Sequence, residues 1–575
     1  MNDLWRRTVR MIALAAACAG MTACADLDIG PPPADAISPA ARAPASAHDA
    51  SPGAIPADEM PAAPERNSTA PLAVSVEDAV LTGLRYNPEL QVERFNVPIN
   101  RTLQEQQRAV FDPNFSGNIQ GGQTNSPNGG VNAPRVNTEN ASGNLGLSQY
   151  LPTGTTITGG VAATYEAQSL YSDKNWSAGP NISVTQSLLR GADLNANLAL
   201  LREAGLAVRV SQYGLRAYAE SLVSQIEMAY WDYALAERQI EIYQNAVDVA
   251  QAQLDQTNEF IKHGALADSE RAAALSELEL RKEDLINARG TLETSRLAFL
   301  QLISPGSHSR FWGRVVELKD KPFVPAGATD DVELHAALAR RQRPDINEAR
   351  LQIQSNQLEV VRTKNGLLPQ LDFSITFSKT GYAQSLGSAI TDVAHANDYS
   401  VVGSLTFAQP IGNRAARAQY EQAQLTRDQS IQALNNLTNQ VEVDVRSAYV
   451  SVETAREEIA ATAATRAAAE EALRAEQGKF KVGKSTNLLV ATAQRDLLQA
   501  QINEISAVVA TLKNLVSLYQ TEGSLLDRRY IDAPGRVGTV LPEEIQAMRD
   551  AQTVATTTPS PATRPTTEAQ TAPAP

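Results

Sequence analysis

Apolar residues recur along this chain at two different periods. From Leu222 through Ile226, Ala229, Tyr233, Ala236, Ile240, Tyr243, Val247, Ala250 and Leu254 they step by four and three without a break. Val441, Val445, Ala448, Val452, Ala455 and Ile459 do the same, as do Leu498, Ile502, Ile505, Val509, Leu512, Val516 and Tyr519, while Leu278, Leu285, Leu292 and Phe299 fall seven apart. A sustained period of about 3.5 residues predicts helices packed side by side as coiled coil. No proline interrupts 195–262, so one helix there can run roughly 100 Å at about 1.5 Å per residue.

Elsewhere the period is two. Leu371, Phe373, Ile375 and Phe377 alternate with Asp372, Ser374, Thr376 and Ser378, and Val401, Gly403, Leu405 and Phe407 form a partner strand. Four earlier segments, at about 114–121, 142–151, 154–165 and 179–189, carry Leu145, Leu147, Leu151, Ile157, Val161, Ile182 and Val184 among Gly, Asn, Ser and Thr. Alternation over about ten residues marks a transmembrane β-strand and equally a half-buried soluble antiparallel sheet.

The elements occur twice. Tyr86-Asn87-Pro88-Glu89-Leu90 returns as Gln342-Arg343-Pro344-Asp345-Ile346, and Asp112-Pro113 as Leu368-Pro369, both at an offset of 256. Ile182 to Leu188 returns as Leu405 to Ile411 at an offset of 223. Ala229-Tyr230-Trp231 then returns as Ala448-Tyr449-Val450, and Ile261-Lys262-His263-Gly264 as Phe480-Lys481-Val482-Gly483, at an offset of 219. Each half therefore reads helix, strands, very long helix, glycine turn, second long helix, and the first half holds about 33 extra residues between its strands.

The ends of the chain change the picture. Arg6, Arg7 and Arg10 precede a short apolar run from Met11 to Met21, the pattern of an export signal. Thr22-Ala23-Cys24 follows and looks like a bacterial lipobox, with Met21 where leucine is usual. Cleavage before Cys24 would leave a cysteine for acylation, and several acyl chains make a stable membrane anchor. An ordinary signal peptide cut near Ala23 or Ala25 is the other reading. Residues 24–71 are a Pro/Ala-rich tether, and 553–575 a disordered Pro/Thr/Ala tail, because neither composition can bury a core. Export of a chain with no helical span favours the membrane-barrel reading of the strands.

Several chemistries are excluded. Asp plus Glu is 64 against 50 for Lys plus Arg, so no basic face for nucleic acid is expected. Both cysteines, Cys18 and Cys24, lie in the leader region, and the five histidines show no metal-ligand spacing. Gly121-Gly122, Gly129-Gly130 and Gly159-Gly160 open no helix after a buried strand and are not a nucleotide cradle. No cofactor, metal or catalytic residue is expected, and no enzyme activity.

The duplicated plan, with Asn-Pro-Glu-Leu at 87–90, Arg-Pro-Asp-Ile at 343–346, Leu367-Leu368-Pro369-Gln370-Leu371, Gln409-Pro410-Ile411 and the Phe480-Lys481-Val482-Gly483 turn, resembles the TolC family of outer-membrane efflux channels over roughly 72–525. The resemblance implies a mainly α fold with a transmembrane β-barrel. A homotrimer would close a 12-stranded barrel on an α-helical periplasmic barrel. It implies an outer-membrane location with outer-membrane lipids around the barrel. It also implies a periplasmic adaptor, and an inner-membrane RND pump or ABC transporter that supplies the energy. Two repeats at 72–305 and 331–525 are expected, joined by a linker at 306–330. An equatorial segment at 526–552 follows, and a leader at 1–23 precedes the tether. The two additional strand-like segments of the first repeat are expected to form an extracellular extension, since twelve strands already close the family's barrel.

The resemblance also places a gate and a partner contact. Gly264 and Gly483, flanked by Lys262 and Lys481, are expected at helix tips that meet the adaptor. Counted from Gly483, the family's ring position is Leu488, the next-turn acidic position is Thr492, and the alternative acidic position holds Leu489. The places of the family's closed-state links are Phe480 and Ser485, expected to face Ser269 and Glu270, and Glu270 remains available as a negative ring. Export of small molecules, whether drugs, metals or other toxic compounds, is the expected function. Type I protein secretion and a structural envelope coiled-coil lipoprotein stay open.

Overall fold

The structure, a computed structural model, describes residues 71–127, 135–168, 174–304, 310–324, 330–395 and 397–535. Cys24, the leader and the 553–575 tail lie outside the described residues. The first repeat opens with β1 (Leu72–Val74), α1 (Val76–Tyr86), α2 (Pro88–Glu93) and α3 (Asn96–Arg108). Strands β2 (Asn114–Pro127), β3 (Arg135–Tyr150), β4 (Thr155–Gln168) and β5 (Lys174–Ser187) follow, then α4 (Leu194–Asn197), α5 (Ala199–Lys262) and α6 (Ser269–Ile303). The second repeat runs β6 (Val316–Leu318), α7 (Val332–Gln342), α8 (Pro344–Gly366), β7 (Gln370–Lys379), β8 (Gly381–Ala383), α9 (Leu386–His395) and β9 (Tyr399–Ala408). It closes with α10 (Arg414–Lys481), α11 (Asn487–Thr521) and α12 (Leu525–Arg528). Among the described residues no helix is long and apolar enough to cross a membrane.

The chain divides into two compact units. One holds the described parts of Ile99–Val208 and Gln352–Ile431. Its centre is an antiparallel sheet in the order β2-β3-β4-β5-β7-β9, with β8 paired to β5. The additional segments of the first repeat are thus β3 and β4, inside this sheet between β2 and β5. The expectation of an extracellular extension is corrected on this point. The reason is their pairing, which runs along the full length of β2 on one side and nearly that of β5 on the other.

The pairing register sorts the sheet into two faces. Phe115, Leu147, Gly159, Ile182, Phe377 and Val401 are linked in turn from β2 to β9, and so share one face. Leu145 and Val161 pair on that face, as do Ile157, Val184 and Ile375. The opposite face carries Asn114, Ser148, Thr158, Ser183, Thr376 and Val402 along one row. Large apolar side chains on the first face stay exposed, Leu147 at 52%, Val161 at 52% and Ile182 at 54%. A sheet apolar on its solvent-free side only would bury them; this one leaves them uncovered, as a lipid-facing sheet does. Near the β3–β5 end, α9 packs on that face, with Ala389 buried against Trp176 and Ala178.

The other unit holds the described parts of Gly53–Pro98, Arg209–Leu351 and Gln432–Pro575. Its core joins Val80, Leu84 and Leu90 to Leu222, Ile226 and Tyr230 of α5, Phe299 and Leu300 of α6, and Val509 and Val516 of α11. Gly83 permits the close crossing of α1 over α5, since a Cβ there would sit 2.3 Å from Ile226 Cδ1. Strands β1 and β6 pair in parallel. The Tyr230 hydroxyl donates to the Val74 carbonyl at 3.3 Å, and the Tyr233 hydroxyl to the Val316 carbonyl at 3.0 Å.

The repeated proline motif has a local cause. Asn87 caps α2, its side chain accepting from the Glu89 and Leu90 amides, and Pro88 takes the first helical position, where no amide is needed. In the second repeat Pro344 opens α8 in the same way, and Arg343 holds Asp345 at 2.6 Å and donates to the Thr521 carbonyl at 3.1 Å.

Charge is also buried in this unit. Arg216 lies 3.2 Å from Glu220 and 3.1 Å from Asp527. Arg529 reaches the fully buried Glu227 at 2.6 Å. His335 bonds Glu522, which Arg528 also holds, at 2.9 Å. Such pairs fix geometry more than they add stability. Here they fasten α12 and the residues after it to α5 and α7.

Candidate functional site

The two helical hairpins turn by the same device. At the α5 end, the Gly264 amide donates to the Ile261 carbonyl at 2.9 Å and the Ala265 amide to the Phe260 carbonyl at 2.8 Å. At the α10 end, the Gly483 amide donates to Phe480 at 3.0 Å and the Lys484 amide to Lys479 at 2.9 Å. This double bond closes a helix on a residue of positive φ, where glycine avoids the Cβ strain. Gly264 has φ 71° and Gly483 φ 72°. A Cβ at either would meet nothing within 4 Å, so the turn needs glycine for its backbone and not for space. Both glycines, with Lys262 and Lys481, are exposed. Lys262 lies 2.5 Å from Glu259.

Beneath the turns the second tip is tied to the first. Phe480 is buried and packs on Phe260, ring centroids 5.9 Å apart, with Leu266 and Val490 alongside. Ser485 was expected to face Glu270. It bonds instead to Glu476, whose carboxyl Lys479 and then Ser485 hold below the usual carboxylate range. The carboxylate of Glu270 is met by Asn487, whose amide donates to it at 3.0 Å. The Asn487 oxygen accepts from Gln253 at 2.9 Å and from Thr257 at 3.2 Å. One buried neutral amide therefore joins α5, α6 and α11.

Asn487 was missed by the sequence reading. The only signal was its place just after Thr486, which caps α11, and an asparagine there reads as part of the cap. Its long-range partners lie 217 and more positions away, and no local pattern reveals them. Ser269 is exposed at the start of α6 and makes none of these links.

The gate positions lie in the first two turns of α11. Leu488 is 71% exposed and Leu489 51%. The Thr492 hydroxyl donates back to the Leu488 carbonyl at 2.9 Å, so it is spent within the helix. The structure thus joins Phe480 to Phe260 and, separately, Glu270 to Asn487. It leaves Leu488, unlike the buried Val490, largely exposed in a single chain. Among the described residues there is no group of three or more His, Cys, Asp and Glu side chains able to hold a metal.

Comparison with known proteins places this architecture. Residues 336–524 match the family model for outer membrane efflux proteins. Outer membrane efflux protein BepC of Brucella suis biovar 1 (strain 1330) is 25% identical over 334 residues, covering 57% of this chain and 68% of BepC. Among solved structures, CusC aligns with a TM-score of 0.58 at 17% identity, over 78% of this chain and 92% of CusC. VceC of Vibrio cholerae aligns with a TM-score of 0.59 at 14% identity, over 78% of this chain and 96% of VceC. At those identities the structures attest the fold alone.

Proposed function

We infer that this chain, a member of the TolC family of outer-membrane efflux channels, is the exit duct of a tripartite export system. Three copies close one β-barrel through the sheet and continue it as an α-helical tunnel. The observation that carries the reading is the pairing of an uncovered apolar sheet face with four long helices that end in matched, exposed tips. The apolar face suits lipid, and the polar face of Ser, Thr and Asn suits water. The tips are the surface that a periplasmic adaptor would read, six to a trimer. An RND pump or an ABC transporter in the inner membrane would drive transport, and the cargo would be small toxic molecules. Type I protein secretion uses the same architecture, and no observation here favours it.

Resting closure falls to Leu488. Three such side chains around a narrow axis would seal it by dewetting, as apolar constrictions do. Thr492 and Leu489 stand at the places the family resemblance assigns to acidic residues, so neither would supply an acidic ring. An acyl anchor on Cys24 would hold the chain to the outer membrane while it assembles. Intact mass of the mature N-terminus checks this: a diacylglycerol-modified Cys24 is expected, and an unmodified terminus elsewhere rules it out.

The duct reading is tested in cells. Removal of the chain should raise retention of exported dyes several-fold, and wild type should restore export. A wild-type level of export in the deletion strain across dyes, drugs and metal ions would overturn it.

A further inference from the structure

We propose that the hairpin of β3 and β4 is a widening built into the barrel, so that each chain contributes six strands and the closed barrel has eighteen. This rests on the trimeric duct reading above and changes its bore. Twelve, the number the family resemblance implies, needs four strands from each chain.

The repeats identify the hairpin as the addition. Asp112-Pro113 before β2 corresponds to Leu368-Pro369 before β7, and Ile182 to Leu188 at the end of β5 corresponds to Leu405 to Ile411 at the end of β9. In the second repeat β7 pairs directly with β9. In the first, β3 and β4 stand between the corresponding strands. Together they span 135–168, 34 residues against the 33 by which the offset falls.

The hairpin belongs to the wall, and four observations say so. Its register with β2 and β5 is continuous, from Asn114↔Ser148 to Pro127↔Arg135 on one side and from Thr155↔Gln186 to Ala167↔Lys174 on the other. Its apolar side chains, Leu145, Leu147, Ile157 and Val161, fall on the face that carries Ile182, Phe377 and Val401. A loop lying outside the membrane would not need that band. Its tight turn is fastened to the segment leaving β5: the Ser187 amide donates to the Gly154 carbonyl at 3.0 Å, and Asn197 Nδ2 donates to the Pro152 carbonyl at 2.8 Å. Gly154, at φ 78°, comes so close to Gly191 that a Cβ would sit 2.0 Å from its carbonyl oxygen. Finally, β2 and β9 are the two edges of the sheet, and every residue of both is exposed. Unpaired edges of this length call for a partner strand.

Parity permits closure. Adding two strands leaves β2 antiparallel to β5 in direction, and leaves β9 of one copy antiparallel to β2 of the next, as a barrel of alternating strands requires. Barrel diameter grows roughly linearly with strand number, so eighteen strands give a wall about half again as wide as twelve. Barrels of about 16–18 strands enclose an open aqueous channel. The outer mouth would then admit bulky solutes that a twelve-stranded mouth excludes.

The test is a strand count in the full-length protein, purified as its oligomer in lipid nanodiscs and imaged by electron cryo-microscopy. Eighteen strands in a trimer are expected. Neutral polyethylene glycols then measure the mouth from the extracellular side of planar bilayers. Deleting residues 135–168 should lower the largest admitted radius by roughly a third. A conducting trimer with twelve strands, its hairpin outside the wall, overturns this inference and leaves the duct reading standing. A dimer that closes twelve strands from two copies also overturns it. A protein that forms no conducting oligomer overturns both.

Discussion

The first-repeat tip turns at Gly264 with φ 71°, and the second at Gly483 with φ 72°, through the same two backbone hydrogen bonds. The sheet portions of those repeats are unlike, four strands against β7, β9 and the short β8. Two copies of one plan have kept their turns alike and let their strands diverge. The physics of each region allows this. A helix reversal has few solutions, and an adaptor that met both tips would tolerate little change in either. A sheet accepts another hairpin wherever the added strands keep alternation, register and an even count.

The comparison breaks first at the tips. Gly264→Val and Gly483→Val together force a β-branched residue into the left-handed region, at about 1–2 kcal/mol each. Because a Cβ at either position meets nothing within 4 Å, the strain is local and the oligomer should survive. We expect dye export to fall at least tenfold, with trimers still recovered from the outer membrane. The single variants should be comparably defective if one kind of partner reads both turns. Full export by the double variant would remove the tips from the mechanism.

The tie beneath the tips comes next. Asn487→Leu strands the Glu270 carboxylate and the Gln253 amide without the amide that joins them, and a buried polar group left unpaired costs about 1–3 kcal/mol. The expected outcome is loosened closure, read as increased resting uptake of an antibiotic that the wild-type cell excludes, by several-fold. Asn487→Asp should act in the same direction, since it sets a second carboxylate against Glu270. Unchanged uptake in both would mean that the tie does not hold the closed state.

A smaller effect sharpens the contrast between tips and core. Burial pushes Glu220 up to about 7, against the pull of the Arg216 guanidinium. The folded state therefore holds a proton that the unfolded chain releases above the ordinary glutamate value of 4.5. Stability from this group is present below that value, declines as pH rises through the window, and is lost above about 7. The melting temperature of the detergent-solubilised oligomer should fall from pH 5 to pH 8, and Glu220→Gln should flatten that slope. Tip variants should leave it unchanged.

Much of this architecture was legible in the sequence. The four-three stepping from Leu222 to Leu254 lies within α5, and the alternation from Leu371 to Phe377 lies within β7. Those patterns are local, because each element keeps one face apolar along its length. The glycine turns were legible for the same reason, being set by backbone geometry at one residue. What the sequence hid was relational. The strand character of β3 and β4 was visible, yet their place between β2 and β5 depends on pairing partners and not on their own alternation. Asn487 was hidden because its meaning lies in Gln253, Thr257 and Glu270, far along the chain. Ser485 was expected to reach toward Glu270 and instead serves Glu476, nine positions away on its own hairpin.

The central claim is that these chains form a duct closed at rest by an apolar ring, and single-channel recording in planar bilayers tests it most directly. Wild-type protein should insert with low resting conductance, and Leu488→Ser should raise it several-fold by wetting the constriction. Multivalent cations added from the periplasmic side should block only weakly, because Thr492 and Leu489, at the places the resemblance assigns to acidic residues, carry no charge. Leu488→Ser conductance equal to wild type, or tight cation block that survives Glu270→Gln, would contradict the account.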